Sequence, residues 1–237
     1  AKCPNKNKCY GQGQATFLIM GRNCSRNCRF CAIGHEEMLP LDTEEPRRIA
    51  KAALNMKLKY VVITSVTRDD LPDGGANHFA QTIREIRKHL PNAGIEVLTP
   101  DFQGNFESLQ IVLSDKPNIF NHNVETIDRL YTLVRPVADF KTSLKVLEFA
   151  NNNSNCFVKS GFMVGLGETK EEVLSLLITL RNTGVDIVTI GQYLQPTKNH
   201  LPVHRYVHPK EFDQYSNFGE KELGFKRVFA GPLVRSS

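Results

Sequence analysis

The stretch TFLIMGRNCSRNCRFCAI, Thr16 to Ile33, sets an apolar run directly before three cysteines, Cys24, Cys28 and Cys31. A short apolar run of this kind reads as a strand, and the glycine and asparagine behind it read as a turn. The C-x3-C-x2-C spacing therefore falls in the loop at a strand's carboxyl end, where open sheets and barrels alike place their ligands. Whatever the three thiolates hold belongs to a site at one end of a parallel sheet.

The same rhythm of apolar run, polar loop and amphipathic stretch recurs along the chain. Strands are expected at Thr16–Met20, Tyr60–Val66, Ile95–Pro100, Asn118–Val124, Phe157–Gly165 and Ile187–Leu194. They are rich in β-branched residues and apolar at their starts, as strands buried on both faces should be. Helices are expected over TEEPRRIAKAALNMK, with Thr43 as its N-cap, and over NHFAQTIREIRKHL, where Phe79, Ile83, Ile86 and Leu90 keep helical spacing. A third, TKEEVLSLLITLRNTG, runs from a Thr169 cap to a Gly184 stop. Strands alternating with helices give an α/β fold of parallel, right-handed βαβ units. Polar segments follow most of the strands, and contributions from so many favour a barrel mouth over an open doubly wound sheet. The expected fold is a partial (β/α)6 TIM-type barrel over residues 16–200. An N-terminal extension, 1–15, and a C-terminal one, 201–237, would cover its mouth.

Composition narrows the function classes. A chain of 237 residues, 41% hydrophobic and 23% charged, can build one good-sized core. No apolar run approaches a membrane span, and FLIM is too short for a signal peptide. The net charge of +5 is scattered, which reads as a mildly basic surface rather than a nucleic-acid footprint. Five of the six cysteines fall within the first 31 residues, a crowding that suits metal ligation in a reducing compartment better than a disulfide scaffold.

Three thiolates admit two uses. Structural zinc would need a fourth ligand, from Cys156 or one of the seven histidines. A [4Fe–4S] cluster would keep one iron open for a reacting ligand. The spacing, its place after the first strand, and Phe30 before the last cysteine resemble the radical S-adenosylmethionine (SAM) superfamily. That resemblance implies further contacts to SAM. Gly161, Gly165 and Glu168 of GFMVGLGE would lie against the adenine. Asp73, Gly74 and Gly75 would meet the methionine end, with free N–H groups at a helix start, and Asn123 and Glu125 would meet the ribose. The plainer alternatives are a glycine turn capping the next helix at GLGE and ordinary polar loop residues at Asn123 and Glu125.

Closer likeness spans the whole chain. CPNKNKCYGQGQATFLIMG, VVITSVTRDDLPDGGANHF, IEVLTPDFQG, FNHNVET, VTIGQYLQPTKNHLPVHRYVHPKEF and the final GPLVRSS resemble the lipoyl synthase family. The resemblance implies a second [4Fe–4S] cluster, held by a C-x4-C-x5-C motif and by a serine of an R-S-S-Y segment. Cys3 and Cys9 match half of the first motif, and Ser236 and Ser237 match the second, with Ser237 favoured as the ligand. The motif's first cysteine would precede Ala1 and its tyrosine would follow Ser237, so a trimmed chain is expected. Also implied are sulfur insertion at C6 and C8 of an octanoyl chain on a lipoyl carrier protein or H protein, with the second cluster as sulfur donor. A ferredoxin or flavodoxin would supply electrons and an iron–sulfur carrier protein would supply clusters, with no nucleic-acid or membrane partner. An apolar barrel interior is expected, and Arg22, Arg26 and Arg29 would tune the first cluster or contact the carrier. The compartment would be cytoplasm in a bacterium, or mitochondrial or plastid matrix in a eukaryote. Runner-up readings are a sulfur-inserting enzyme of biotin synthase type and a zinc-binding module. Replacing Cys24, Cys28 or Cys31 by Ala is expected to abolish deoxyadenosine formation from SAM, measured by chromatography of anaerobic reactions; retained formation in any of the three would count against the assignment.

Overall fold

A computed structural model describes residues 3–236. The elements run α1 Lys6–Gly11, β1 Gln14–Ile19, α2 Glu45–Asn55, β2 Tyr60–Ser65, α3 Ala76–His89, β3 Gly94–Leu98, α4 Phe106–Ser114, β4 Ile119–Asn121, α5 Tyr131–Val134, α6 Phe140–Asn153, β5 Phe157–Val164, α7 Lys170–Asn182, β6 Ile187–Gln192, α8 Pro209–Asn217 and β7 Arg227–Gly231. The strands form one parallel sheet in the order β1-β2-β3-β4-β5-β6-β7, with β1 and β7 as its unjoined edges. This is the expected α/β partial barrel, left open on one side. Among the described residues no helix is long and apolar enough to cross a membrane.

Side chains alternate across a strand, so each strand has one face toward the helices and one toward the lumen. The helix-facing set is the core. Val61, Ile63, Ile95, Val97, Val188 and Ile190 are fully buried, as are Phe79, Ile83 and Ile86 of α3, Leu109 and Val112 of α4 and Leu177 of α7. Thr169 caps α7 with a reciprocal capping box to Glu172. Gly184, at φ 91°, follows the helix end as expected.

Four departures from the sequence expectations have physical causes. Thr43 is not an N-cap: Asp42 accepts from the Glu44 N–H at 2.9 Å, and α2 starts at Glu45 with Pro46 in its first turn. Strand β4 stops at Asn121, because the chain arches out and returns at Glu125, whose φ of 66° lets it bridge to Phe162. The segment 201–237 is more than a cover for the mouth. It supplies α8 and β7, and Val188, Ile190 and Gly191 of β6 align with Val228, Ala230 and Gly231. The lumen, finally, is not apolar. Glu96, Asn121 and Lys159 project into it from three neighbouring strands. Glu96 accepts from Lys159 Nζ at 2.7 Å, Asn121 Nδ2 at 3.1 Å and the Tyr60 hydroxyl at 2.8 Å.

This layering separates the two faces energetically. Ile190→Ala, on the helix-facing side, should cost roughly 2–5 kcal/mol, whereas Thr16→Ala, exposed on the lumen face of β1, should stay within about 0.5 kcal/mol. Urea unfolding followed by circular dichroism measures both, and equal costs would contradict the arrangement.

Candidate functional site

Between Ile19 and Glu45 the chain forms no helix or strand, yet the cysteine loop within it is held firmly. The Cys24 N–H donates to the Gly34 carbonyl at 2.9 Å, the Ser25 N–H to Thr67 at 3.0 Å and the Arg29 N–H to Val134 at 3.0 Å. Arg26 is only 5% exposed. Its guanidinium grips Asp69 after β2 at 2.7 and 3.0 Å and Asp101 after β3 at 2.6 and 2.7 Å. Burial opposes its charge, but the hydrogen bonds to Asp101 and Asp69 outweigh that and raise its pKa. Burial likewise pushes Asp101 up, while Arg26 holds it down to about 2. Arg26 is thus fully spent on two carboxylates, and the expectation that it serves the cluster or a carrier protein is corrected: it pins the loop.

Cys24, Cys28 and Cys31 all line one cavity of about 270 Å³ at the carboxyl ends of the strands. Burial raises the Cys28 thiol against the nearby Arg135 charge, and burial pushes Cys31 up to about 11 against a backbone N–H from Ile33. Such thiols give up their protons only to a group that supplies positive charge, as a metal centre does. Facing them, Ser65 Oγ, Thr99 Oγ1, Asn123 Oδ1 and Arg135 Nε are buried without a partner among the described residues. Unpaired polar atoms around a cavity fit a ligand rich in donors and acceptors. A structural zinc site would need a fourth ligand at the same end of the sheet. Among the described residues no three His, Cys, Asp or Glu side chains group as ligands of one metal ion. Cys156 precedes β5, at the opposite end of the sheet from the loop after β1.

Of the residues expected to meet SAM, Asn123 and Glu125 line the cavity. Burial raises the Glu125 carboxyl, Arg135 working against it. Gly161 lies beside Asn123, where a Cβ would meet Asn123 Oδ1 at 2.8 Å. Others have different work. Asp73 accepts from the Gly75 and Asn77 N–H groups, both at 2.9 Å, so the N–H groups expected to be free at the α3 start are taken. Gly74 and Gly75 pack on Phe102 and Met20 instead of lining the cavity. Glu168 closes the turn after β5, accepting from Gly165 at 2.6 Å and Leu166 at 2.9 Å. Gly165, at φ 99°, leaves no room for a Cβ against Gln192 and the Arg205 carbonyl. Both residues shape the turn after β5, while Thr169 caps the helix behind it. Arg135 escaped the sequence reading; its only cue is a charge inside the apolar run Tyr131–Val137.

A second cavity, about 360 Å³, adjoins the first, and Phe30, Leu98, Asn123 and Glu125 line both. Cys3 and Ser236 lie on its walls, so the two tails meet at one place. Asn5 Nδ2 also donates to the Leu233 carbonyl at 2.8 Å. Cys9 sits on α1, and Ser237 lies outside the described residues.

Arg26→Met should leave two carboxylates facing each other without their cation, at a cost of roughly 3–5 kcal/mol. In the native chain Asp101 contributes stability that is complete above its ordinary pKa and lost as pH falls through about 2. Without Arg26 its burial pushes that carboxyl up instead, so it takes a proton as pH falls from 7 to 5 and the deficit of the variant shrinks. Urea midpoints at the two pH values measure this, and a deficit that grows on acidification would refute it.

Comparison with known proteins agrees with this geometry. The family model for the radical SAM superfamily matches residues 18–191. A lipoyl synthase from Caldanaerobacter subterraneus subsp. tengcongensis is 54% identical over 100% of this chain and 83% of its own length. One from Caldicellulosiruptor bescii is 54% identical over 100% of this chain and 81% of its own. The crystal structure of Streptococcus suis SuiB bound to S-adenosylmethionine shares the fold, with a TM-score of 0.73 at 12% identity over 92% of this chain and 50% of that one. The cysteine loop after β1, the open parallel barrel and full-length likeness thus converge, and the chain belongs to the lipoyl synthase family of the radical SAM superfamily.

Proposed function

We infer that this radical SAM sulfur-inserting enzyme acts on an octanoyl chain borne by a carrier protein or domain, inserting sulfur at C6 and C8. Cys24, Cys28 and Cys31 would hold a [4Fe–4S] cluster with one iron open to SAM. Ser65, Thr99, Asn123 and Arg135 offer their unpartnered atoms to the polar groups of SAM, with Glu125 beside them. When bound, cluster and SAM supply hydrogen abstraction from an unactivated carbon. The chain's own work is placement and exclusion of water. Thr67 donates its N–H to Cys24 Sγ at 3.3 Å, and His200 Nε2 holds the Cys31 carbonyl at 3.0 Å, so the segments after β2 and β6 help to fix the cysteine loop.

Cys3 and Cys9, with a serine of the 236–237 pair, would hold the second cluster, which would serve as the sulfur substrate. The observation that carries the reading is the wall of Phe30, Leu98, Asn123 and Glu125 common to both cavities. A carbon held against it would lie between the cavity proposed for SAM and the one proposed for the sulfur donor. An octanoylated carrier protein or H protein, a ferredoxin- or flavodoxin-type donor and an iron–sulfur carrier protein complete the cycle.

In the full chain, Cys9→Ala should keep deoxyadenosine formation and lose lipoyl product, while iron falls from about eight to about four per chain as two [4Fe–4S] clusters become one. Mass spectrometry of an octanoylated peptide with parallel iron analysis tests this; normal lipoyl formation by the variant would refute the sulfur-donor role.

A further inference from the structure

The polar layer across the lumen is more than a buried ion pair. Lys159 and Glu96 have side chains only 10% and 4% exposed and meet at 2.7 Å. Replacing such a pair by apolar residues of similar volume is often neutral or stabilising, so stability alone does not account for it. Glu96 is committed to the fold, taking hydrogen bonds from Tyr60, Asn121 and Lys159. Lys159 is committed only in part: it also donates to the Ser236 carbonyl, at 2.9 Å.

The lumen around that contact is shaped to receive the C-terminal segment. On β6, Thr189 Oγ1 hydrogen-bonds Ser236 Oγ at 2.9 Å. A Cβ at Gly161 would strike both of those oxygens, and one at Gly191 would strike the Val234 carbonyl. Two lumen-facing glycines on adjacent strands thus open a groove, and Lys159 and Thr189 close on what lies in it.

We propose that Lys159 is a positioning residue: through the Ser236 carbonyl it seats the serine segment in the lumen, while Thr189 gives the hydroxyl of Ser236, taken as the iron ligand in place of the Ser237 that the sequence favoured, a resting partner when it is not bound to iron. The role in sulfur insertion rests on the proposed second cluster; the seating itself does not. A tether through main chain fixes where residue 236 lies without using its hydroxyl. That hydroxyl is then free to exchange between Thr189 and a metal, and a serine oxygen is a harder ligand than thiolate and the readier to leave iron.

The test pairs Lys159→Met with Glu96→Gln in the full chain, so that no buried charge is stranded, the new amide oxygen still accepts from Asn121 and its NH2 group donates to the Tyr60 hydroxyl. Thr189→Val, which removes only a hydroxyl, is the second variant. Hydrogen exchange by mass spectrometry should show the peptide after Gly231 exchanging roughly tenfold faster in the double variant, the scale of a lost charge-assisted hydrogen bond, with β7 unchanged. Deoxyadenosine formation should stay at the native rate while sulfur insertion falls at least as far. Unchanged exchange beyond Gly231 overturns the proposal. If the whole sheet loosens in the double variant, Thr189→Val decides, since faster exchange confined to the tail supports the seating and native exchange refutes it. A native protein carrying one cluster would instead sink the reading of the function and leave the exchange result standing.

Discussion

One guanidinium decides where the thiolates are. The long segment from β1 to α2 lacks the repeating hydrogen bonds that place a helix or a strand, so its position rests on a few point contacts. Arg26 supplies the strongest, joining the loop after β1 to the ends of β2 and β3 with four short hydrogen bonds. Its planar fork suits two carboxylates at once, which a lysine could not match, and their charges offset the cost of burying its own. The far side of the loop is tied to the segment after β6, where Leu201 donates to the Arg29 carbonyl at 3.2 Å. The cysteines are therefore fixed against a rigid sheet edge before any iron arrives.

A second polar chain sets the opposite wall. His122 Nδ1 donates to the Thr99 carbonyl at 2.9 Å, which leaves Nε2 as the acceptor for Ser143 Oγ at 3.0 Å. Ser143 then accepts from the Tyr131 hydroxyl at 2.9 Å, and Tyr131 accepts from Arg135 Nη1 at 2.7 Å. Every donor points the same way, so one imidazole tautomer orients a guanidinium several residues distant. Burial, with the Arg135 charge, pushes His122 down to about 4, which keeps it neutral and the direction of the chain intact.

Local signals explain what was legible in the sequence. Six strands, the Thr169 cap, the Gly184 stop and the cysteine loop each declare themselves within a few neighbouring residues. What escaped depends on partners far along the chain. Strand β7 is short, its apolar run is only Val228–Ala230 between Arg227 and Gly231, and its pairing with β6 is what makes it a strand. Asp73 and its glycines look like a ligand loop until the helix start behind them is seen to need that carboxylate. Arg26 reads as one of three loop cations, because nothing near it in sequence announces Asp69 and Asp101.

The polar lumen had looked incompatible with an alkyl substrate, and the strand period resolves the conflict. Along β3, Glu96 lies two positions before Leu98; along β5, Lys159 lies four before Met163. Both pairs face inward, so the lumen has a polar tier deep in the sheet and an apolar tier above it. The second cavity draws on the upper tier, with Leu98 and Met163 in its walls beside Phe30, Tyr193 and Leu194. An octanoyl chain entering from the mouth would meet apolar surface first and be stopped by Ser236 resting on Lys159. The same buried charges that looked out of place would then set the depth of the pocket: burying methylene groups against them gains nothing, so the chain settles above them.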